Sequence, residues 1–517
     1  MHLTSEFPLS FLKTLSIAGY RGFKEPCVIH LAVPKSQDEG SGLTVITGAN
    51  NSGKSTVIEA LRARSGHHTP SFSEGIRNKD ADFVRIVYEF EKRSEGEDDQ
   101  TGLVEPRTEV IESQTAGSSQ SVHTIDGIDA PNRQHGADPI HVVPSRRGFQ
   151  PYFGRAHGTL QDYQRQDGLP ARRMAELSSF EMRLFDIEKD PSKFNRLLGE
   201  LLGYTPKWTI DQSSEGNHYI RLRNGTASHS SDGAGEGIVS LFSIVDALTS
   251  VPPGGIVAID EPELSLHPAI IRRLVRAIVR LSAEKQIVVA THSPYFVDPA
   301  AIAQGAALVR VTSEGGSSNV YQLSDQGRVA LKKIHDPESP NTKAPHTFGL
   351  DARELFFQDD GIVLTEGQDD VMLYPVVARQ LPIGRVPGQL FGWGVGGAGN
   401  MRHLCRLLQD MGYKKVAGLL DNDQVATLPG LERDFPGYKF FAIPAKDVRD
   451  KDAVGARPAV TGLLENSRDL REEYREPMVS IFESLRAAFE SEATQAPISD
   501  DGKVDAERPL GDKLTGG

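Results

Sequence analysis

The sequence is poor in cysteine, has no long apolar run and carries no excess of positive charge, and each absence excludes a class of protein. Cys27 and Cys405 are its only cysteines, which excludes a zinc site built from cysteine and indicates a reducing cytoplasm. No run of about 18 apolar residues occurs, so we expect no membrane span. Residues 1–15 lack the basic and apolar regions of a secretory signal. The formal net charge of −13 argues against a general nucleic-acid coat protein, so a DNA contact would need a local basic groove.

An apolar stretch that ends in two carboxylates is the pattern around which the rest of the chain is organised. Residues 255–259 are small or apolar and run directly into Asp260 and Glu261, which predicts a buried strand that ends at a sheet edge. An Asp in that position can hold a Mg²⁺-bound water near a nucleotide, and the adjacent Glu can orient an attacking water. Taken alone, the stretch is equally consistent with a buried strand that enters an ordinary acidic turn.

A glycine-rich loop near the N-terminus would complete a nucleotide site with that strand end. Residues 43–47 predict a strand and residues 57–63 a helix, and G-x-x-x-x-G-K-S stands between them. Backbone N–H groups of such a loop close around phosphate oxygens, and the helix N-terminus adds its positive end. Lys54 would reach the β- and γ-phosphates of ATP, and Ser55 would bind Mg²⁺. The loop residues predicted to bind nucleotide are Gly48, Asn51, Ser52, Gly53, Lys54, Ser55 and Thr56.

Two further segments have features of a phosphate site. Residues 230–237 predict a Ser/Gly turn that opens an apolar helix at residues 238–248, a geometry that would point N–H groups at an anion. Residues 286–290 predict another buried strand, which would place His292 at the same sheet edge as Asp260. A histidine in that place can sense the γ-phosphate of ATP.

The flanking segments predict antiparallel strands and a group of helices. Residues 11–31 predict two antiparallel strands. Apolar residues at intervals of three to four predict two helices within residues 174–202, and we assign a helical lobe to about residues 157–205. Arg146 and Arg147 follow a predicted strand, and contact with a phosphate or a place in a solvated loop are equally good interpretations.

Together these motifs resemble those of ATP-binding-cassette (ABC)-type ATPases of the SMC/RecF/OLD group. The resemblance implies that Glu261 and His292 are catalytic and that Ser55 and Asp260 bind Mg²⁺. It also implies a head-to-head dimer, in which the signature turn of one subunit completes the ATP site of the other. The matching segments are residues 48–56 (Walker A), 231–233 (signature turn), 260–261 (Walker B and the glutamate) and 291–293 (histidine loop). Within the signature turn, the resemblance implies that Ser231 and Gly233 bind nucleotide. Gln150 is the nearest candidate for the Gln loop.

A second alternation of strands and helices begins near residue 346. Strands are predicted at residues 361–365, 390–395, 415–420 and 438–443, with helices at 371–380 and 401–411. This order predicts a parallel sheet with right-handed crossovers. Because strand ends meet at one edge of such a sheet, Glu366, Asp421 and Asp423 would form an oxygen-rich site for Mg²⁺ or Mn²⁺, and two metals there could assist phosphodiester cleavage. Three unrelated acidic loop ends are the alternative.

This second unit resembles the Toprim domain of topoisomerases, primases and OLD nucleases. Glu366-Gly367 with Asp370 matches its E-G-x-x-D motif, Gly396-Gly397 its middle glycines, and Asp421-x-Asp423 its D-x-D motif. The resemblance implies that Glu366 is a metal ligand or general acid/base and that Asp370, Asp421 and Asp423 are metal ligands.

Two positions depart from the OLD pattern. Ala398 stands where a lysine often follows the two glycines, and Arg449 stands near a position that tends to be acidic, with Asp447 and Asp450 close by. Lys446 could supply the basic group.

The sequence therefore predicts an α/β protein with two domains. Residues 1–345 would form an ABC-type P-loop ATPase with N-terminal antiparallel strands, and residues 346–459 a smaller, parallel-sheet Toprim domain. C-terminal helices would follow at 460–492 and a disordered tail at 493–517.

An ATPase joined to a Toprim unit resembles the OLD family. That resemblance implies an ATP-dependent or ATP-regulated, metal-dependent DNA endonuclease of anti-phage defence or DNA processing. A non-cutting ATPase switch and a RecF-like repair ATPase are the alternatives. The expected ligands and partners are ATP, Mg²⁺, Mn²⁺ at the Toprim site, DNA and further copies of the chain, with a small partner protein or an RNA left open.

Overall fold

The computed structural model describes residues 10–490, apart from several loops. The gaps are residues 36, 66–69, 74, 93–105, 131–139, 146–179, 225–226, 231–235, 335–348, 358–360, 454 and 456–457. Some predictions therefore lie outside the described residues, namely those for Arg146, Arg147, Gln150, Ser231, Gly233, the first part of the helical lobe and the tail at 493–517.

The strands alternate with helices along most of the chain. The strands are β1 (Ser10–Ala18), β2 (Cys27–His30), β3 (Leu43–Thr47), β4 (Arg85–Lys92), β5 (Arg107–Ser113), β6 (Ser121–Ile125), β7 (Ile128–Asp129), β8 (Ile140–Val143), β9 (Lys207–Gln212), β10 (His218–Asn224), β11 (Ala227–Ser230), β12 (Ile256–Asp260), β13 (Gln286–Ala290), β14 (Ala307–Glu314), β15 (Ser317–Gln322), β16 (Ile362–Thr365), β17 (Gln389–Leu390), β18 (Val416–Leu420), β19 (Lys439–Ala442), β20 (Leu464–Glu465) and β21 (Asp469–Leu470). The α-helices are α1 (Lys54–Ser65), α2 (Phe180–Lys189), α3 (Ser192–Leu202), α4 (Glu236–Ser250), α5 (Pro268–Leu281), α6 (Pro299–Gln304), α7 (Asp325–Ile334), α8 (Leu350–Arg353), α9 (Gln368–Arg379), α10 (Ala398–Asp410), α11 (Leu428–Asp434) and α12 (Glu472–Glu490).

A six-stranded, mainly parallel sheet forms the centre of the first unit, in the order β15-β14-β3-β13-β12-β8. Its strands β3, β12 and β13 are buried along their whole length. Alternate side chains enter two different hydrophobic cores, with Val257 and Ile259 in one and Ile256 and Ala258 in the other. A strand covered on both faces must be apolar throughout, which is why these segments read as continuous apolar runs.

An antiparallel sheet in the order β2-β1-β4-β5-β6-β7 lies on the second of these cores. The predicted antiparallel pair within residues 11–31 is confirmed, since β1 and β2 pair from Thr14–His30 to Ile17–Cys27. The first core is covered by α3, α4 and α5, and Arg183 of α2 forms a buried ion pair with Asp246 of α4 at 3.0 Å. The described helices of the predicted lobe thus pack on the central sheet.

A four-stranded parallel sheet in the order β17-β16-β18-β19 forms the second unit. The sequence prediction was wrong in two places. The strand expected at 390–395 is reduced to β17, because Gly392, Gly394 and Gly396 adopt positive φ and end the extended backbone. Part of the segment expected to be helical at 460–492 is instead the β20–β21 hairpin, which turns at Asn466 and Ser467 with positive φ.

The two units share a continuous hydrophobic core. Apolar residues of α7 and of α10, Leu331 and Leu404 among them, belong to one buried cluster. The turn after α10 also docks on β14, where Arg310 donates a hydrogen bond to the Met411 carbonyl oxygen at 3.0 Å. In the described part of the chain no helix is both long and apolar enough to cross a membrane.

Candidate nucleotide site and carboxylate cluster

The glycine-rich loop connects β3 to α1 and has a backbone shape that depends on glycine. Gly48 and Gly53 have φ values of 144° and 114°, a region that side chains disfavour, and Asn51 has φ 62°. A Cβ atom on Gly48 would collide with the Val311 carbonyl oxygen. The predicted strand–loop–helix arrangement is therefore present, with α1 beginning at Lys54 as the sequence pattern indicates.

Lys54 is buried within this loop and is held by its carbonyl groups. Its Nζ donates to the Gly48 oxygen at 3.0 Å and to the Ala49 oxygen at 2.8 Å. Burial lowers the pKa of Lys54 to about 8, although the charges of Glu261 and Asp260 oppose the shift. A phosphate group would supply the counter-charge that a buried ammonium group requires.

Ser55 and Asp260 meet across the end of the central sheet. The Ser55 hydroxyl donates to Asp260 Oδ1 at 3.3 Å, although the two residues belong to α1 and β12. A hydroxyl and a carboxylate oxygen side by side at a phosphate loop are hard oxygen ligands of the kind that Mg²⁺ takes. The structure therefore brings together the two residues predicted to hold this ion.

Glu261 and His292 lie beside one another at the same edge. Glu261 has φ 47°, and His292 Nε2 lies 3.6 Å from its Oε1. Burial, with the nearby Lys54 charge, lowers the pKa of His292, so the imidazole is neutral at pH 7. A left-handed backbone at a non-glycine residue is strained, and such strain is concentrated at functional sites.

Glu263 is a residue of this site that the sequence analysis missed. Its Oε1 accepts a hydrogen bond from the His292 backbone N–H at 2.6 Å, and burial raises its pKa. Glu263 therefore positions the loop that carries the histidine. A signal was present in the sequence, since Glu261-Pro262-Glu263 carries a second carboxylate two residues after the first.

The second unit brings carboxylates together at the carboxyl edge of its parallel sheet. Glu366 follows β16 and Asp421 follows β18, and Glu366 Oε1 accepts a hydrogen bond from the Asp421 backbone N–H at 2.9 Å. Burial and the charges of Asp370 and Glu366 raise the pKa of Asp421 to about 8. Burial, with the Glu366 charge contributing, raises the pKa of Asp370 to about 6. We call Glu366, Asp370 and Asp421 the carboxylate cluster.

The cluster does not form a finished metal site in this conformation. Among the described residues, no group of three or more His, Cys, Asp or Glu side chains is arranged to hold a metal ion. Asp423 is exposed in a 3₁₀ helix at Asn422–Thr427, although its charge raises the pKa of Glu366 after the larger effect of burial. Asp370 caps its own helix by accepting from the Gly367 N–H at 2.8 Å. A cation would have to draw these side chains closer together.

Three buried polar atoms beside the cluster lack partners and fit such a cation or its water. Asp421 Oδ1, Thr365 Oγ1 and the Tyr374 hydroxyl are buried without a hydrogen bond. Buried polar atoms in proteins are nearly always satisfied, so these oxygens suit a bound ion or its water as partner. The donor set is made of oxygens only, which suits Mg²⁺ or Mn²⁺.

The basic residue at the cluster is Lys451, which the sequence analysis missed in favour of the exposed Lys446. The Lys451 charge lowers the pKa of Glu366, Asp370 and Asp421 against the larger effect of burial. It also pairs with Asp447.

The structure shows the contacts of Ala398 and Arg449, the two residues that depart from the OLD pattern. The Ala398 backbone N–H hydrogen-bonds to Glu366, so α10 begins at the cluster. Arg449 pairs with Asp369 at 2.8 Å, and Asp450 pairs with Arg471 at 2.9 Å. Both acidic partners therefore neutralise arginines, and neither belongs to the cluster.

A protein-family model described as "AAA domain, putative AbiEii toxin, Type IV TA system" matches residues 43–298. That range begins with β3 and contains the glycine-rich loop, Asp260 and His292. Residues 43–298 are an AAA-type ATPase domain. The match ends before the parallel sheet of the second unit, so the ATPase domain is the part of the chain that this comparison identifies.

Solved structures resemble the chain only distantly. The chain is similar to the SMC head domain from Thermotoga maritima (18% identity, 60% of this chain and 99% of that chain covered, TM-score 0.37). It is also similar to an SMC head bound to the C-winged helix domain of ScpA (17%, 61% and 98%, 0.40). A third is the SMC head with an extended coiled coil, bound to the C-terminal domain of ScpA derived from Pyrococcus furiosus (14%, 63% and 99%, 0.40). No curated protein matches the sequence.

Proposed function

We propose that this protein is an ATP-regulated, metal-dependent DNA endonuclease, in which the ATPase domain controls a phosphodiester-cleaving site on the parallel sheet. The observation that supports the nuclease is the carboxylate cluster, in which Glu366 and Asp370 from the β16–α9 segment meet Asp421 from the end of β18, and burial together with their charges raises the pKa values of Asp370 and Asp421. Buried carboxylates are paired or bind metals, because an uncompensated buried charge is costly. Lys451 offsets only part of their repulsion and desolvation, since the pKa values of Asp370 and Asp421 stay raised.

In the ATPase domain, each residue has a role that suits its position. Lys54 binds the phosphates of ATP, and Ser55 and Asp260 hold Mg²⁺. Glu261 orients the attacking water, and the neutral His292 beside it responds to the γ-phosphate. The remaining loop residues bind the phosphates through their N–H groups.

In the second unit, the carboxylate cluster and Asp423 bind Mg²⁺ or Mn²⁺, and the bound metal would stabilise the attacking and leaving oxygens of a phosphodiester. Lys451 lowers the repulsion among the carboxylates and faces the phosphate. On the motifs of Glu366, Asp370 and Asp421 we assign residues 346–459 to a Toprim domain and the whole chain to the OLD arrangement.

The biological role that we propose is anti-phage defence or DNA processing. The description of the matching family names a toxin of a toxin–antitoxin system, and a DNA endonuclease under ATP control would serve as one. We further propose a head-to-head dimer, with Ser231 and Gly233 of one copy completing the ATP site of the other. Size-exclusion chromatography of Glu261→Gln with and without ATP tests the dimer.

A non-cutting ATPase switch is the second candidate function. Two observations favour it: no described group of three acidic or histidine side chains is arranged to hold a metal, and Ala398 supplies only a backbone N–H at the position where a lysine was expected. In this reading the second unit binds DNA or a partner, and ATP turnover regulates that binding.

Cleavage of supercoiled plasmid with Mg²⁺ or Mn²⁺, with and without ATP, separates the two functions. We expect the wild type to nick the plasmid and Asp421→Asn to lose at least about 100-fold of that activity, since a metal ligand is removed. Asp450→Asn is the matched control, because Asp450 is a carboxylate of the same unit that pairs with Arg471 outside the cluster. Glu261→Gln reports how ATP turnover controls cutting.

The outcomes decide between the proposals. Nicking by wild type and Asp450→Asn but not by Asp421→Asn supports the endonuclease. Equal nicking by Asp421→Asn and wild type would assign the activity to a contaminant, and no nicking with intact ATP hydrolysis would favour the switch.

A further inference from the structure

The side chain of Tyr374 ends beside the carboxylate cluster. Its packing does not explain why a tyrosine stands there rather than a phenylalanine. Tyr374 follows Asp370 by one turn of α9, so the two side chains lie on the same face of the helix. Its ring is fully buried in the core of the second unit, and its hydroxyl makes no hydrogen bond. Burial and the charges of Asp370, Asp421 and Glu366 raise the pKa of this hydroxyl, so it keeps its proton and remains a donor.

A phenylalanine would pack in the same place without an unpaired hydroxyl. A buried hydroxyl with no partner destabilises a fold, and the cost is justified only if a partner arrives. The cluster holds an unsatisfied acceptor, Asp421 Oδ1, which is also buried without a hydrogen bond, and the Asp421 charge acts on the Tyr374 hydroxyl. The Tyr374 hydroxyl is a donor and Asp421 Oδ1 is an acceptor, and neither has a hydrogen-bond partner. A direct hydrogen bond or one bridging group would satisfy both.

We propose that Tyr374 is a positioning residue, whose hydroxyl donates to Asp421, directly or through one water, when a divalent cation occupies the cluster. The inference rests on the proposed endonuclease function. The hydrogen bond fixes the orientation of the carboxylate, so that its other oxygen faces the metal. Residues that orient metal ligands in this way change metal affinity by about 10- to 100-fold when they are replaced.

The test is a Mn²⁺ titration of the full chain without nucleotide, followed by electron paramagnetic resonance of free Mn²⁺. All proteins carry Asp260→Asn, so that the ATPase domain contributes no metal site. We expect Tyr374→Phe to weaken Mn²⁺ binding about 10-fold. Tyr438→Phe is the matched control, since it removes a buried hydroxyl of the same unit that donates to the Tyr413 oxygen at 2.9 Å. It should lower the melting temperature and leave Mn²⁺ affinity unchanged.

A second readout separates positioning from a structural role. Without metal, Tyr374→Phe should melt at the same temperature as its parent or higher, because an unpaired buried hydroxyl has been removed. In plasmid nicking, the Mn²⁺ concentration for half-maximal rate should rise about 10-fold, with most of the rate recovered at saturating Mn²⁺.

The inference and the proposed function fail in different ways. Equal Mn²⁺ binding by the parent and its Asp421→Asn variant would overturn the metal site itself. Binding that is lost in Asp421→Asn but unchanged in Tyr374→Phe would overturn only the role of Tyr374. A large loss of melting temperature in metal-free Tyr374→Phe would also overturn it, since the hydroxyl would then be structural.

Discussion

Arg310 connects the central sheet to the second unit, and we call this contact the junction. Replacing Arg310 by methionine should destabilise the junction. Arg310 lies on β14 opposite Thr47, the last residue of the strand that leads into the glycine-rich loop. Its guanidinium carbon lies 3.8 Å from the centre of the Tyr413 ring, and its Nη1 donates to the buried Met411 oxygen. Arg310 itself is only 7% exposed.

The expected loss of stability follows from the interactions that the substitution removes and from the cost of charge burial that it relieves. A hydrogen bond from a charged group contributes about 1.5–3 kcal/mol, and a desolvated cation–π contact about 2 kcal/mol. Methionine keeps an apolar stem and removes the cost of burying the charge, which offsets about half of that sum. We therefore expect the junction to lose about 2 kcal/mol of stability.

Hydrogen exchange followed by mass spectrometry measures this loss locally. Peptides from α10 and β18 should exchange up to about 30-fold faster in Arg310→Met, because exchange from an opened segment follows its free energy of opening. Lys414→Ala is the control, since it breaks an exposed ion pair with Glu314 at the same turn, and it should change exchange little. Equal exchange in the two variants would refute this role of Arg310 at the junction.

Two further predictions concern the ATPase domain. Ser318→Ala removes a buried hydrogen bond to the Ser52 carbonyl oxygen of the glycine-rich loop, 2.7 Å long, and should weaken ATP binding about five-fold in a fluorescent-nucleotide titration. Ser313→Ala, an exposed change on the preceding strand, is its control, and equal affinities would contradict the prediction. Lys285 is buried and donates to the Leu248 and Val251 oxygens at the end of α4, and burial lowers its pKa to about 8. The unfolded chain therefore binds more protons above pH 8, and Lys285 should contribute about 1.5 kcal/mol of rising stability in urea unfolding from pH 8 to 9.5. Lys54, whose pKa is also about 8, adds a rise of its own, so the rise in Lys285→Met should be about 1.5 kcal/mol smaller than in the wild type. Equal rises in the two proteins would contradict the prediction.

Local patterns in the sequence were sufficient to predict the elements that carry both sites. The strand, loop and helix around Lys54 are adjacent in the chain, so periodicity and glycine positions alone predict them. The parallel order of the second sheet followed from its alternation of strands and helices. The roles of Glu261, His292 and the acidic residues remain predictions, and the experiments above test those of Glu261 and Asp421.

The errors and omissions arose where the chain departs from regular periodicity. Glycines with positive φ shortened the strand expected at 390–395, and a turn at Asn466 and Ser467 replaced the start of a predicted helix. Apolar periodicity indicates whether a segment tends to form a strand or a helix. One or two residues with positive φ can end that strand or helix, and the periodicity does not show where.

The sequence by itself determined the phosphate loop, the acidic strand ends and the order of the two units, because each is written in consecutive residues. Only the tertiary structure decided that Glu263 supports the histidine loop, that Lys451 acts on the carboxylate cluster, and that Tyr374 lies beside it with an unpaired hydroxyl. It also decided that the two units share one core. These features depend on contacts between distant segments and on burial, and both exist only after the chain has folded.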